Sequence, residues 1–319
     1  MTHSNETLAS LESVGKRYGA ICALDDFSLD VQSGQLLAVL GRNGAGKSTA
    51  IGLLSGRIAP DRGRARLIGR DPRDIAARRA VGLMLQDCDL PDTLRVAEHV
   101  RLFSSYYPNP RPVAETLALA GLEALATRPY GALSGGQKRR VQFALAICGR
   151  PRLLFLDEPS VGLDVDARRA LWRAVTDLRD AGCGIVLTTH YLEEADALAD
   201  RVVLIEGGRT LVEDTPAGLK ARAAGTRVRA RTALSEGQLA QWSECLSVRS
   251  VDGCAELLTA APEALLRRWL AADDTLADLQ VSSLSLEEAV QTLTTAASTA
   301  TGEPAVGRPR RALAEEKVR

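Results

Sequence analysis

No apolar run in this chain is long enough to cross a membrane. Stretches such as residues 153–156 and 202–205 fall far short of the ~20 residues that a spanning helix needs. A membrane role would therefore require another chain to supply the span. Excess charge of either sign is also missing: Lys plus Arg and Asp plus Glu are 40 each, so no global field draws the chain to nucleic acid or to an acidic membrane. The six cysteines, Cys22, Cys88, Cys148, Cys183, Cys245 and Cys254, form no C-x-x-C pair and none lies beside a histidine. That placement speaks against a metal site and fits reduced thiols in a cytosolic protein. Residues 1–10 are polar and lack an apolar h-region, so no secretory signal is expected. Internal repeats, heptad runs and a basic patch of nucleic-acid size are absent too. Apolar residues do make up 45% of the 319, enough for a substantial core in one large or two ordinary domains.

The most informative stretch is Gly41-Arg42-Asn43-Gly44-Ala45-Gly46-Lys47-Ser48-Thr49, which reads G-x-x-x-x-G-K-S. Residues 35–40 before it read as a buried strand, and 50–55 after it have helical spacing at Ile51 and Leu54. Strand, glycine loop and helix start give the motif its context. Glycines let backbone N–H groups turn inward as a concave donor surface, and the helix start adds partial positive charge. Lys47 is expected near the β- and γ-phosphates of a nucleotide, Ser48 on Mg²⁺ and Thr49 on a phosphate.

Elsewhere the pattern alternates between strands and helices. Residues 8–14 and 24–31 read as antiparallel strands joined through 15–20, 60–63 as a turn and 65–68 as a strand. A strand at 81–85 ends on Gln86. Helical spacing follows at 94–107 and 113–125, broken by the prolines of 108–112. A further helix opens at Leu133-Ser134-Gly135-Gly136-Gln137 and runs to about Cys148. Its apolar face is Val141, Ala144, Leu145 and Cys148, and Lys138, Arg139 and Arg140 are expected in solvent or facing phosphate. Strands at 153–156 and 184–189, a helix at 166–181, a short acidic helix at 191–199 and a hairpin at 202–213 complete this part. Composition shifts at 216–218. Beyond it, strands at 228–232 and 246–251 and helices at 262–271 and 286–293 suggest a small αβ appendage, and 296–319 is expected to be a disordered tail.

Chemistry is concentrated at strand ends. Asp157 and Glu158 close the 153–156 strand, and His190 closes the next. In a parallel sheet these ends converge on the edge that carries the glycine loop. Asp157 is then a candidate Mg²⁺ ligand, Glu158 a group that polarises an attacking water, and His190 a partner of the γ-phosphate or the water. Adjacent carboxylates can also simply cap a strand, and a lone histidine can be structural; the residues alone leave both readings open.

At residues 133–137 the chain resembles the ATP-binding cassette (ABC) ATPases, whose signature is L-S-G-G-Q, and the resemblance extends over roughly residues 8–215. Tyr18 matches the aromatic that stacks on adenine, residues 41–49 the Walker A loop and Gln86 the Q-loop glutamine. Residues 153–157 match the Walker B strand, Glu158 the catalytic glutamate, Gly162-Leu163-Asp164 the D-loop and His190 the switch histidine. The resemblance implies an α/β P-loop NTPase with a RecA-like core, an antiparallel β-subdomain and an inserted α-helical subdomain at about 87–147. A C-terminal α+β accessory region at 216–295 and the tail at 296–319 would follow a nucleotide-binding domain at 1–215.

By the same resemblance the activity is hydrolysis of ATP with Mg²⁺, catalysed by Glu158, His190 and Gln86, with Ser48, Gln86 and Asp157 as metal ligands. Nucleotide contacts would come from Tyr18, Gly41, Asn43, Gly44, Ala45, Gly46, Lys47, Ser48, Thr49, Ser134, Gly135, Gly136, Gln137 and Asp164. The signature would face ATP bound on a second copy, which implies a homodimer sandwiching two ATP molecules. A separate integral-membrane permease is the implied partner, at the cytoplasmic face of the cell membrane, with its docking surface along 87–100, including Cys88, Leu90 and Leu94. Glu193-Glu194-Ala195-Asp196, Arg201 and Ser285-Leu286-Glu287-Glu288-Ala289 look like subfamilies that serve ABC-2-type exporters. An importer subunit and a soluble, non-transport ABC ATPase are the alternatives, and nucleic acid is not an expected partner.

Overall fold

Short strands buried on both faces set the largest sheet. A computed structural model describes residues 6–86, 88–223 and 225–301, with backbone alone for 296–301. Leu36–Leu40 (β3), Leu153–Asp157 (β6) and Gly184–Thr188 (β7) are buried at every position. Continuous apolar strands of this kind belong inside a parallel sheet with both faces covered. The six-stranded sheet has the order β5-β6-β7-β3-β8-β9, with Val81–Met84 (β5), Arg201–Glu206 (β8) and Arg209–Asp214 (β9). Only β9 runs antiparallel, as the second arm of the expected hairpin.

A second, antiparallel sheet has the order β2-β1-β4, from Thr7–Tyr18 (β1), Ile21–Gln32 (β2) and Arg62–Leu67 (β4). The first two strands run on through the expected 15–20 connection, which shrinks to Gly19-Ala20 with Gly19 at φ 59°. Asp61 holds the extension, accepting from Lys16 Nζ at 2.7 Å and from the Arg17 N–H at 2.8 Å. Lys47–Leu54 (α1) and Ile75–Arg78 (α2) lie between these sheets in sequence.

Helices fill the chain between β5 and β6: Val96–Ser104 (α3), Val113–Leu119 (α4) and Gly135–Ile147 (α5). The helix expected to reach 125 stops at Leu119 because Gly121 turns left-handed at φ 61°. Val96, Val100, Leu117, Leu122, Val141 and Ala144 share a core with Met84, Leu154 and Leu156 of the sheet. Val165–Asp180 (α6) and Leu192–Leu198 (α7) follow β6 and β7.

The composition shift at 216–218 is a helix start. Thr215 caps Pro216–Arg222 (α8) by accepting from the Gly218 N–H at 3.0 Å, with proline in the first turn. The last helix, Leu286–Thr301 (α11), sets Leu286, Val290 and Leu293 against Leu219, Val202 and Leu204. Its backbone is helical through Thr301, so a helix opened by the i, i+4, i+7 apolar face at 286, 290 and 293 runs into the first residues of the stretch expected as a disordered tail. Residues 302–319 lie outside the described residues.

Between α8 and α11 a four-stranded antiparallel sheet, order β11-β12-β10-β13, comprises Thr226–Arg231 (β10), Ser247–Val251 (β11), Cys254–Thr259 (β12) and Ala277–Ser283 (β13). Glu236–Leu239 (α9) and Pro262–Ala272 (α10) accompany it. The sequence reading missed β12, β13 and α9. β13 does alternate, with Ala277, Leu279 and Val281 at every second position, but every residue of it is exposed at the sheet edge, so the alternation marks no buried face. This sheet has its own core of Val228, Ala230, Leu257, Leu265 and the edge-to-face pair Trp242–Trp269, whose ring centroids are 6.3 Å apart. No helix among the described residues is long and apolar enough to cross a membrane.

Trp269 is fully buried and donates to Thr232 Oγ1 at 3.2 Å. Trp269→Ala is expected to cost about 3–5 kcal/mol of local stability. Hydrogen exchange should show the loss of protection confined to residues 226–283, with β3, β6 and β7 unchanged.

Candidate nucleotide site

Strand register brings the expected residues to one edge. Val39 of β3 pairs with Thr188 of β7, and Thr188 pairs with Asp157 of β6. The three strands therefore end level, and the glycine loop, the carboxylates and the histidine leave them side by side. The loop turns into α1 at Gly46, which has φ 116°. A Cβ there would lie 2.6 Å from Ala23 O and 2.7 Å from Leu24 Cδ2, so only glycine lets β2 pack against the loop. Asn43, Gly44 and Ser48 are exposed at the loop surface.

Lys47 Nζ folds back on its own loop, donating to Gly41 O at 2.7 Å and Arg42 O at 3.2 Å. Partial burial pulls its pKa below the usual lysine value, opposed by the nearby charges of Glu158 and Asp157. A phosphate entering the loop would offer this ammonium a full negative charge in place of two carbonyl dipoles.

Asp157 and Glu158 are both buried. Thr188 Oγ1 donates to Asp157 Oδ1 at 2.5 Å, which orients that carboxylate. Glu158 Oε2 lies 2.6 Å from His190 Nδ1 and accepts the His190 backbone N–H at 3.3 Å. Glu158 itself sits at φ 52°, a left-handed conformation that costs a non-glycine residue about 1–3 kcal/mol. Its N–H is tied to Thr188 O at 3.0 Å.

Its carbonyl is held by a residue that sequence reasoning placed elsewhere. Arg139 is buried, neither solvated nor aimed at phosphate. Its Nη2 donates to Asp157 O and Glu158 O at 2.6 Å each. Its Nη1 donates to Leu85 O, Gln86 O and Gln142 Oε1 at 2.8 Å each. The neighbouring charges are engaged as well: Arg140 donates to Gly121 O at 2.8 Å, and Lys138 lies 3.5 Å from Asp92. The signal was in the helix spacing, since Arg139 precedes buried Phe143 by four residues and Ala146 by seven. The run of three basic residues masked it.

The remaining expected residues lie on separate elements. Tyr18 is exposed at the end of β1, with Lys16 Nζ 5.7 Å from its ring centroid. Gln86 is exposed just beyond β5, and its neighbour Asp87 lies outside the described residues. Ser134 caps α5 in a reciprocal box, accepting from the Gln137 N–H at 3.3 Å while Gln137 Oε1 accepts the Ser134 N–H at 3.0 Å. Ser134 and Gly135 are open to solvent, and Gly136 packs so closely that a Cβ would lie 2.9 Å from Gly162 O. Asp164 caps α6 by accepting from the Ala167 N–H at 2.8 Å. Among the described residues no hydrogen bond or ion pair joins Ser134, Gly135, Gly136 or Gln137 to the glycine loop.

Behind the edge is a carboxylate that the sequence reading did not place in the site. Glu194 is buried on α7, and Ser160 Oγ and Trp172 Nε1 both donate to its Oε1, the latter at 3.0 Å. Burial pushes its pKa above the usual glutamate value, more than the hydrogen bonds lower it, and Glu158 adds to the rise.

The oxygen donors fit a magnesium ion. No cluster of three His, Cys, Asp or Glu able to hold a metal exists among the described residues. Ser48, Gln86 and Asp157 are instead hard oxygen donors with a single carboxylate, and Mg²⁺ commonly binds through one or two carboxylates plus substrate phosphates. Thr188 occupies Asp157 Oδ1, which leaves Oδ2 for that role.

Comparison with known proteins places this edge among related molecules. The ABC transporter family model matches residues 24–161. The daunorubicin resistance ATP-binding protein DrrA2 of Streptomyces coeruleorubidus is 39% identical over 226 residues, 68% of this chain and 70% of its own. The Nod factor export ATP-binding protein I of Ralstonia nicotianae is 37% identical over 216 residues, 66% of this chain and 67% of its own. Among solved structures, a dimeric ATP-binding cassette in a post-hydrolysis state, bound to ADP and phosphate, superposes with a TM-score of 0.60 at 25% identity. That match covers 65% of this chain and 98% of the other.

The raised pKa of Glu194 makes stability depend on pH. The folded state favours the protonated form, so stability falls as pH rises from the ordinary glutamate range near 4.5 through the raised folded value. Urea midpoints measured from pH 4 to pH 8 should show this decline, and Glu194→Gln should flatten it.

Proposed function

The chain belongs to the ABC transporter family as an ATP-binding, ATP-hydrolysing subunit, and from that membership we propose that two copies clasp ATP to drive export through separate membrane subunits. The observation that carries the catalytic assignment is the shared edge of β3, β6 and β7, where Lys47, Asp157, Glu158 and His190 converge. Lys47 exchanges its loop carbonyls for the β- and γ-phosphates. Glu158, fixed through Oε2 by His190, presents its other oxygen to a water. That water attacks the γ-phosphorus, Glu158 takes up the proton, and the bond to the β-phosphate oxygen breaks to leave ADP and phosphate. Mg²⁺ held by Ser48, Gln86 and Asp157 would neutralise charge on the phosphates. Gln86, at the start of the helical insertion, would sense that charge and the position of the insertion. The exposed ring of Tyr18 offers a face to adenine.

Ser134, Gly135, Gly136 and Gln137 complete the reading. The start of the 13-residue α5, open to solvent at Ser134 and Gly135, makes an anion site, and among the described residues no hydrogen bond or ion pair ties it to the glycine loop of its own chain. A second copy places that helix start and Asp164 over the ATP of the first. Nucleotide then binds the closed pair better than the open one, and hydrolysis removes the difference; that differential affinity is what shifts the conformation.

Relatives named for drug resistance and for Nod factor export support export as the direction. The membrane subunits would dock at the cytoplasmic face, along the exposed residues 88, 89 and 91–93, the exposed Leu102 of α3 and the exposed Tyr106 just beyond it. Leu90 packs on the core, and Leu94 is half-buried with its carbonyl bonded to the Tyr130 N–H, so neither is free to serve as the main contact. Residues 1–215 carry the chemistry in this proposal, and 216–295 are assigned no step.

Glu158→Gln should lower ATP turnover at least about 100-fold while ATP still binds, trapping an ATP-dependent dimer in size-exclusion chromatography. Undiminished turnover would remove Glu158 from its role. Ser134→Arg should abolish the ATP-dependent dimer, read by light scattering, while each chain still binds ATP. A dimer that persists would contradict a site shared between copies.

A further inference from the structure

The β5–β6 ladder ends at the pair Met84 and Leu156. Beyond it β5 departs into the helical insertion and β6 turns left-handed at Glu158, so the carbonyls of Leu85, Gln86, Asp157 and Glu158 lose their inter-strand donors. One buried guanidinium satisfies all four. Arg139 Nη1 takes the carbonyls of Leu85 and Gln86 at 2.8 Å, and Nη2 takes those of Asp157 and Glu158 at 2.6 Å. Gln142 extends the strap, accepting from Arg139 Nη1 at 2.8 Å and donating to Cys88 O at 3.0 Å. A planar fork with five N–H groups can bridge two chain segments in this way; a lysine ammonium, a point donor, cannot span them.

We infer that Arg139 is a positioning residue for hydrolysis: it ties the signature helix and the peptide of Gln86 to the peptide of Glu158, and so holds the Glu158 carboxylate against His190. The residue lies five positions past Ser134, about 7.5 Å along the axis of α5. A shift of that helix, whether from an anion at its start or from movement of the insertion, is therefore felt at the backbone of Glu158. The inference rests on the ATPase reading above and adds a link to it: the signature that serves the partner's nucleotide is mechanically joined to the glutamate that serves the chain's own.

Arg139→Lys and Arg139→Gln in the full chain test this. The lysine keeps the buried positive charge and the glutamine keeps a donor, but neither reaches both strand ends. ATP affinity should stay within about threefold of wild type, because the glycine loop is untouched, while kcat falls about 100-fold, the scale of a 1 Å misplacement. The dependence of rate on ATP concentration should also lose any cooperativity seen in wild type. A variant kcat within about threefold of an active wild type would overturn the inference and leave the function standing. So would parallel loss of ATP binding and kcat, or unfolding of both variants by circular dichroism, since either would assign Arg139 to stability alone. A wild-type chain that neither binds nor hydrolyses ATP would instead overturn the function.

Discussion

Level pairing of β3, β6 and β7 is the constraint on which the nucleotide edge depends. Val39, Thr188 and Asp157 sit side by side in the ladder, so whatever follows each strand emerges at the same height. The strained parts of the site persist because the sheet beneath them is over-determined. Glu158 costs about 1–3 kcal/mol in its left-handed turn. Fully burying a single Leu, Val or Phe contributes about 1.5–3 kcal/mol. Leu154, Phe155, Leu156, Val186 and Leu187 are all buried beside that turn, so packing outweighs the strain with a wide margin.

The charges at the edge are organised in layers. Lys47 faces Asp157 and Glu158 from a half-buried position and is partly desolvated. Thr188 and His190 each orient one carboxylate. Behind them Ser160 and Trp172 hold Glu194 on α7, the helix that starts two residues after His190. Leu192 and Ala195 of that helix share a core with Leu219 and Leu286, so α8 and α11 rest on the element that follows the histidine. Arg227 of the small sheet in turn pairs with Glu288 of α11. A continuous chain of contacts thus runs from His190 to residues 226–283.

Much of the first two-thirds was legible because its signals are local. Apolar runs at 36–40, 153–157 and 184–188 mark strands buried on both faces, and the glycine loop lies in register between strand and helix. Later in the chain the signals weaken or mislead. The composition shift at 216–218 hides a helix start: Pro216 opens α8, since proline is tolerated in a first turn where its missing N–H has no intrahelical partner. β13 has apolar residues at 277, 279 and 281, but none is buried, so its alternation does not mark a core face. The β1–β2 hairpin is longer than its apolar pattern because Asp61, from a distant segment, holds Lys16 and Arg17 in place.

By itself the sequence determined the kinds of group available: a glycine loop with Lys47 and Ser48, a signature at Ser134, and carboxylates and a histidine at strand ends. Those depend on residue type and on neighbours within a few positions. Tertiary structure alone decided which groups meet. Helix spacing puts Arg139 on the side of buried Phe143 and Ala146, but nothing in a Lys-Arg-Arg run names the four carbonyls that its middle member meets. The reason is physical: backbone carbonyls look alike in sequence, and which of them lack a ladder partner emerges only once β5 and β6 part company past Met84 and Leu156.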